Sequence, residues 1–142
     1  MPVQTATLLR DVLFFVKDFL ATNITDPSAS TRPSQEEFVM TSYPTRPTRY
    51  PLITVKDINS SDDGALGLQS EASAYRIDIE IRVWANNVRD RDVIAQEVYQ
   101  KLKDAQIGAS GTWQANDLHD FRLLSSINVD DPTGAKSKVM TF

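Results

Sequence analysis

His119 is the single histidine of the chain. It is the first place to look for chemistry, because an imidazole changes charge near neutral pH and can move protons. In the run Leu118-His-Asp-Phe it opens a candidate strand, where a solvated or hydrogen-bonded ring is the ordinary outcome. A catalytic role needs a nucleophile activated by that ring, and Ser125 and Ser126 offer only nearness in sequence. A small hydrolase using His119 with a neighbouring Asp or Ser therefore has little behind it. The chain has no cysteine, which removes thiolate nucleophiles, disulfides and zinc-thiolate sites and fits folding in a reducing cytoplasm. Gly64, Gly67, Gly108, Gly111 and Gly134 never form Gly-x-Gly-x-x-Gly or end in Gly-Lys-Ser/Thr, so no phosphate-cradling loop is expected.

Carboxylates are the remaining candidates. The pairs Asp62-Asp63 and Asp130-Asp131 could hold a hard cation, but neither has the alternating acids and closing Glu of a calcium loop, and solvated turns are the plainer reading. Asp78 and Glu80 share one face of a strand and resemble a paired-carboxylate site. Arg76 and Arg82 flank them on that face and offer charge neutralisation, which favours a charged contact surface over an acid/base pair. Pro44-Thr-Arg-Pro47 fits the loose Pro-x-x-Pro pattern of polyproline recognition, a pattern too common to carry weight alone. No catalytic, cofactor or metal residues are expected.

The elements that must position these residues follow from periodicity. Tyr75, Ile77, Ile79, Ile81 and Val83 alternate with Arg76, Asp78, Glu80, Arg82 and Trp84, which predicts a long half-buried strand over 75–84. A slip of one residue would bury its charges, so its register is pinned. Leu9, Val12, Leu13, Val16 and Leu20 recur at helical spacing and predict a helix over 7–21, capped by Thr5 or Thr7. Leu8, Phe15 and Phe19 widen its apolar arc. Residues 23–35 are rich in Ser, Thr, Pro and Asp and read as a mobile loop, part of a flexible Pro/Ser-rich connector around 23–50. Within it 37–43 suggests a short strand, and Pro44, Pro47 and Pro51 exclude the stretch between them from a sheet.

A strand is predicted over 52–58, followed by turn chemistry at Asn59-Ser-Ser-Asp-Asp-Gly64 and a loop of more than ten residues before the long strand. Asn87-Val-Arg-Asp90 offers a helix cap, and Ile94, Ala95, Val98, Tyr99 and Leu102 form the apolar stripe of the helix it starts. Residues 106–116 read as a loop. Phe121, Leu123, Ser125, Ile127 and Val129 alternate as a strand, and 136–142 closes the chain as another. The order helix, two strands, long strand, helix, two strands predicts an α+β domain, mostly an antiparallel sheet with two main helices packed on it. At 142 residues one domain over 1–142 suffices, able to bury roughly two-thirds of its unfolded surface.

Fifteen basic against nineteen acidic residues give a net charge of −4, spread along the chain, so direct binding of nucleic acid is disfavoured. No apolar run approaches the roughly 20 residues that span a bilayer, and the N-terminus lacks the basic start and cleavage site of a secretory signal.

The span from Tyr75 to Leu102, an alternating strand ending in Trp84-Ala85, a polar break at Asn86-Asn87 and a capped helix, resembles the tail-terminator (tail-completion) proteins of long-tailed bacteriophages and related tailed viruses. The resemblance takes in the N-terminal helix, the Pro51-Leu-Ile-Thr-Val55 strand and the two closing strands, covering roughly 7–142. It departs at 23–50, which is longer and richer in Pro and Ser than the family's usual connection. What the resemblance implies is a non-enzymatic structural virion protein. It would form a ring, commonly a hexamer, that ends tail-tube growth and joins the tail to the head connector. Its partners would be its own copies, the tail tube protein and a neck protein, with DNA sliding through the lumen. On this reading Arg76, Asp78, Glu80 and Arg82 are candidates for the contact between copies, and Asp62, Asp63, Gly64 and Gly67 for contact with the tube or lumen. Another neck component, a head-closure or adaptor protein, and a soluble non-viral adaptor presenting its Pro-rich arm are the alternatives.

Overall fold

A computed structural model describes residues 8–34, 36–45, 49–65, 73–107, 122–130 and 134–142. The elements run α1 (Leu8–Asn23), β1 (Val39–Met40), β2 (Leu52–Ala65), β3 (Ser73–Ala85), α2 (Val88–Ile107), β4 (Ser125–Asp130) and β5 (Lys136–Thr141). The five strands form one sheet in the order β1-β2-β3-β5-β4, antiparallel except for the short β1–β2 pair. This is the expected α+β architecture, with the elements in the expected order.

Strand alternation decides where the core sits. Ile79, Ile81 and Val83 turn to one face of β3, where Ile53 and Val55 of β2 and Met140 of β5 join them. The stripe of α2 (Ile94, Ala95, Val98, Leu102) and that of α1 (Val12, Val16, Leu20) cover this face, and all are buried. Phe15 and Phe19, which widen the arc of α1, pack partly buried against the same core. The start of α2 is a reciprocal cap. The Asp90 amide donates to Asn87 Oδ1 at 2.8 Å, and Asn87 Nδ2 donates to Asp90 Oδ2 at 2.9 Å. Asp92, one turn on, accepts from Arg91 at 2.9 Å and pairs with Lys138 of β5 at 3.1 Å, which pins the helix end to the sheet.

Three expectations are corrected. Residues 59–64 are not a turn after β2 but part of it. The strand runs on to Ala65 and pairs with β3 down to Ser73, with irregularities between Asp57 and Asn59 and between Asp62 and Gly64. Turn-favouring composition yields here to a ladder of cross-strand bonds, and the bulges take up the residues that fit a pleat poorly. The first strand of the connector is only Val39–Met40, because the prolines after it supply no ladder donors. The late strand starts at Ser125, and its described apolar residues Leu123 and Ile127 stay exposed, while Phe121 lies outside the described residues. Ile127 is 58% exposed, because this strand is the sheet's edge and the helices lie over its centre.

The connector carries a clasp that its composition did not reveal. The Arg32 side chain is 5% exposed and donates to both carboxylate oxygens of Asp26, at 2.6 and 3.2 Å, to the Arg49 carbonyl at 2.8 Å and to the Pro51 carbonyl at 2.6 Å. It also lies over the Phe38 ring and 3.9 Å from Glu36. One guanidinium thus holds both ends of the connector against the start of β2.

Candidate functional site: the open face of the sheet

The face of the sheet turned away from the helices gathers the residues singled out in the sequence. Three rows cross it, read from β2 through β3 and β5 to β4. They are Leu52, Trp84, Ser137 and Val129; Thr54, Arg82, Val139 and Ile127; and Lys56, Glu80, Thr141 and Ser125. Beyond the last row β2 and β3 are the only described strands that continue, and there Asn59 stands opposite Asp78 and Ser61 opposite Arg76.

The four charged candidates therefore lie on one face, as the alternation requires, but they do not pair as their order suggested. Arg76 Nε meets Asp78 at 3.1 Å, whereas Glu80 pairs across the strand with Lys56 at 3.6 Å. Arg82 turns away from Glu80. Its guanidinium carbon lies 4.0 Å from the centre of the Trp84 ring, and Nη2 donates to Ser137 Oγ at 3.1 Å. Ser137 in turn donates to the Val129 carbonyl at 2.9 Å, so a chain of bonds ties β3, β5 and β4 together. A planar guanidinium stacked on an indole keeps its remaining donors usable, which explains the preference for Trp84 over a carboxylate two residues away. Because the Asp78 and Glu80 side chains remain only 16% and 17% exposed and each has a cation, the pair resembles a neutralised surface and not an acid/base couple.

The first row forms a second, small apolar cluster, which the sequence reading did not anticipate. Leu52, Trp84 and Ala135 are buried, with Tyr50 packed on them. Tyr43 packs on Trp84 with ring centres 4.7 Å apart and planes tilted by 53°, and its hydroxyl meets that of Tyr50 at 2.6 Å. Trp84 Nε1 donates to Thr54 Oγ1 at 3.2 Å. The Pro-rich stretch thus roofs one end of the open face with its two tyrosines. Part of the signal was present in the pattern: a tryptophan on the charged side of an alternating strand needs an apolar neighbour, but nothing local in the sequence selects Tyr43 and Tyr50 over Tyr75 or Tyr99.

The other candidates are distributed as follows. Asp62, Asp63 and Gly64 lie in β2 near the far end of the β2–β3 hairpin, while Gly67 and His119 fall outside the described residues. Asp130 ends β4 and pairs with Lys136 at 3.5 Å; Asp131 lies outside the described residues. Among the described residues no group of three metal-ligating side chains converges. A shallow cleft of about 320 Å³ between α1 and residues 37–39 is lined by Lys17, Asp18, Asp26 and Glu37, with Lys17 and Glu37 3.6 Å apart. No described helix is long and apolar enough to cross a membrane.

The hairpin is the other conspicuous feature. The last β3–β5 ladder pair is Glu80 with Thr141, and Ile79 still exchanges both backbone bonds with Phe142. From Asp78 to Ser73, six residues, β2 is the only described strand beside β3, a ribbon running about 20 Å beyond the last β5 pair at roughly 3.4 Å per residue. In comparisons with known proteins, no family model and no curated sequence matches the chain.

Proposed function

We propose that this chain is a structural virion protein that forms a ring at the head-proximal end of a viral tail tube, ends tube growth and joins the tail to the head connector. The observation that carries the reading is a sheet with one face committed to the helices and the other left as a charged surface, extended by a two-stranded ribbon. Ile77 of the ribbon still packs against the core, but the strand ends beyond it have only each other among the described strands, which favours a role in which a neighbour covers them. The order and pattern of elements add the resemblance to tail-terminator proteins.

In this role Arg76, Asp78, Glu80 and Arg82 contribute to the match between neighbouring copies, setting orientation more than strength because Asp78 and Glu80 already pair with Arg76 and Lys56 while Arg82 stacks on Trp84. Asp62, Asp63 and Gly64 at the end of the described hairpin, together with Gly67 of the sequence reading, reach the tube or line the lumen. The net charge of −4 suits a conduit in which DNA slides, since a basic wall would hold phosphates by releasing their counterions.

The experiment is gold labelling of a tagged copy on intact particles, together with growth of purified tube protein in its presence. Label at the head–tail junction and arrest of tube growth are expected. Label there without arrest would make the chain a head-closure or adaptor protein of the neck. Particles free of label, with the tag accessible, would sink the virion reading. Deleting residues 62–67 separately tests the hairpin, and normal tail length and head joining after that deletion would remove its contact role.

A further inference from the structure

The sheet ends on both sides in backbone that no described strand pairs. On one side, β1 covers only Ile53 and Thr54 of β2, and the six residues 56–61 beyond it are all exposed. On the other side β4, also six residues, is exposed at every position but Val129. Soluble proteins blunt such edges with lysine, proline or bulges; β4 has none of the three, whereas 56–61 carries Lys56 and the bulge at Ile58, so β4 is the unprotected edge of the two. We propose that β4 of one copy pairs antiparallel with residues 56–61 of the next copy, so that the sheet runs on from subunit to subunit.

Three features of the chain favour this partner. Direction is the first. Strands β2, β3, β5 and β4 alternate up and down, so repeating the sheet edge to edge sets β4 antiparallel to the next β2.

Hydrogen-bond phase is the second. Ile79 and Phe142 exchange both bonds, so 137, 139 and 141 of β5 turn to β4. Their partners 129, 127 and 125 face inward, leaving the amides and carbonyls of Ser126 and Asn128 pointing outward. On β2, Ile53 turns outward to Phe38, which likewise leaves Asp57 facing out, and past the bulge Ser60. Asn128 opposite Asp57 and Ser126 opposite Ser60 then satisfies both edges.

The third is apolar surface. This register sets Ile127, 58% exposed, beside Ile58, 47% exposed and itself the extra residue of the bulge. Two different patches on opposite edges make a heterologous contact, the kind that generates a ring when the rotation closes. The proposal rests on the ring reading only for that closure.

The full chain has no cysteine, so introduced thiols report without background. Lys56 and Val129 fall opposite each other in a non-hydrogen-bonded pair, with Cα atoms about 4.5 Å apart and within disulfide reach. Inside one copy β3 and β5 separate them. Oxidising the Lys56→Cys, Val129→Cys double variant is expected to give covalent multimers larger than a dimer that stop at one size. Adding Asn128→Pro removes an outward amide without touching the β5 ladder, and is expected to raise the concentration needed for association about tenfold.

Dimers formed by Val129→Cys alone, with no larger species from the double variant, would overturn the proposal in favour of a two-fold β4 pair. Closed oligomers seen by light scattering with no cross-link would overturn the edge pairing and leave the ring intact. A chain monomeric up to millimolar concentration would overturn the pairing and deprive the ring of self-association.

Discussion

At the scale of single residues, Arg32 is the hub that holds the connector together. Its fork matches the Asp26 carboxylate and two carbonyls at once, a geometry that an ammonium does not reproduce. Removing it as Arg32→Ala leaves a largely buried carboxylate without its partner, and a loss of about 3 kcal/mol is expected in denaturant unfolding, with Arg32→Lys recovering less than half. Asp26 adds a pH dependence. Burial alone would raise its pKa, but the Arg32 hydrogen bonds, the Ser28 amide at 2.9 Å and the Arg32 charge together hold it below the usual 3.8. A depressed carboxylate gives stability that is full well above pH 3.8 and is lost as pH falls through its lower folded value. Unfolding midpoints of the wild type should therefore fall more steeply below pH 4 than those of Asp26→Asn, the difference vanishing at the acid end. Parallel curves would show that Asp26 does not carry this effect.

At the scale of elements, α2 depends on a cap and β2 on its partner. Asn87→Ala should cost about 1 kcal/mol, because it removes the acceptor of the Asp90 amide, while Asn87→Asp keeps that acceptor and should cost less. Thermal unfolding of the two variants side by side measures the difference, and equal losses would show that the cap is not what stabilises the helix start. This cap was legible as Asn87-Val-Arg-Asp90, as was the helix it opens, because both are local in sequence. The extension of β2 was not. Asn59-Ser-Ser-Asp-Asp-Gly64 has strong turn chemistry, and only the facing strand, which supplies ladder bonds at each register position, makes it extended.

At the scale of the whole molecule, the question is which surfaces remain free once the core is closed. The open face balances most of its charges internally, so its contribution to assembly lies in steering. Reversing one charge as Arg76→Glu leaves Asp78 beside a like charge and is expected to slow association several-fold while leaving the fold unchanged. The effect should shrink as salt rises, since the Debye length falls to roughly 8 Å at physiological ionic strength. Association followed by light scattering across a salt series reads this directly, and a salt-independent rate would remove the steering role.

The alternating run through β3 by itself determined a half-buried strand, its register and the side on which Arg76, Asp78, Glu80 and Arg82 stand. The helical stripes of α1 and α2 likewise determined what would cover the other side. These are consequences of periods of 2 and 3.6 residues, which a chain carries wherever it is placed. Tertiary structure decided what depends on distant partners. Arg82 took Trp84 and Ser137 instead of Glu80, Tyr43 and Tyr50 became a roof over Trp84, and Arg32 closed the connector on Pro51. The alternating residues of β4 became an edge and not a core, because strand order in a sheet is set by which neighbours a strand finds, and a local pattern does not encode its place in that order.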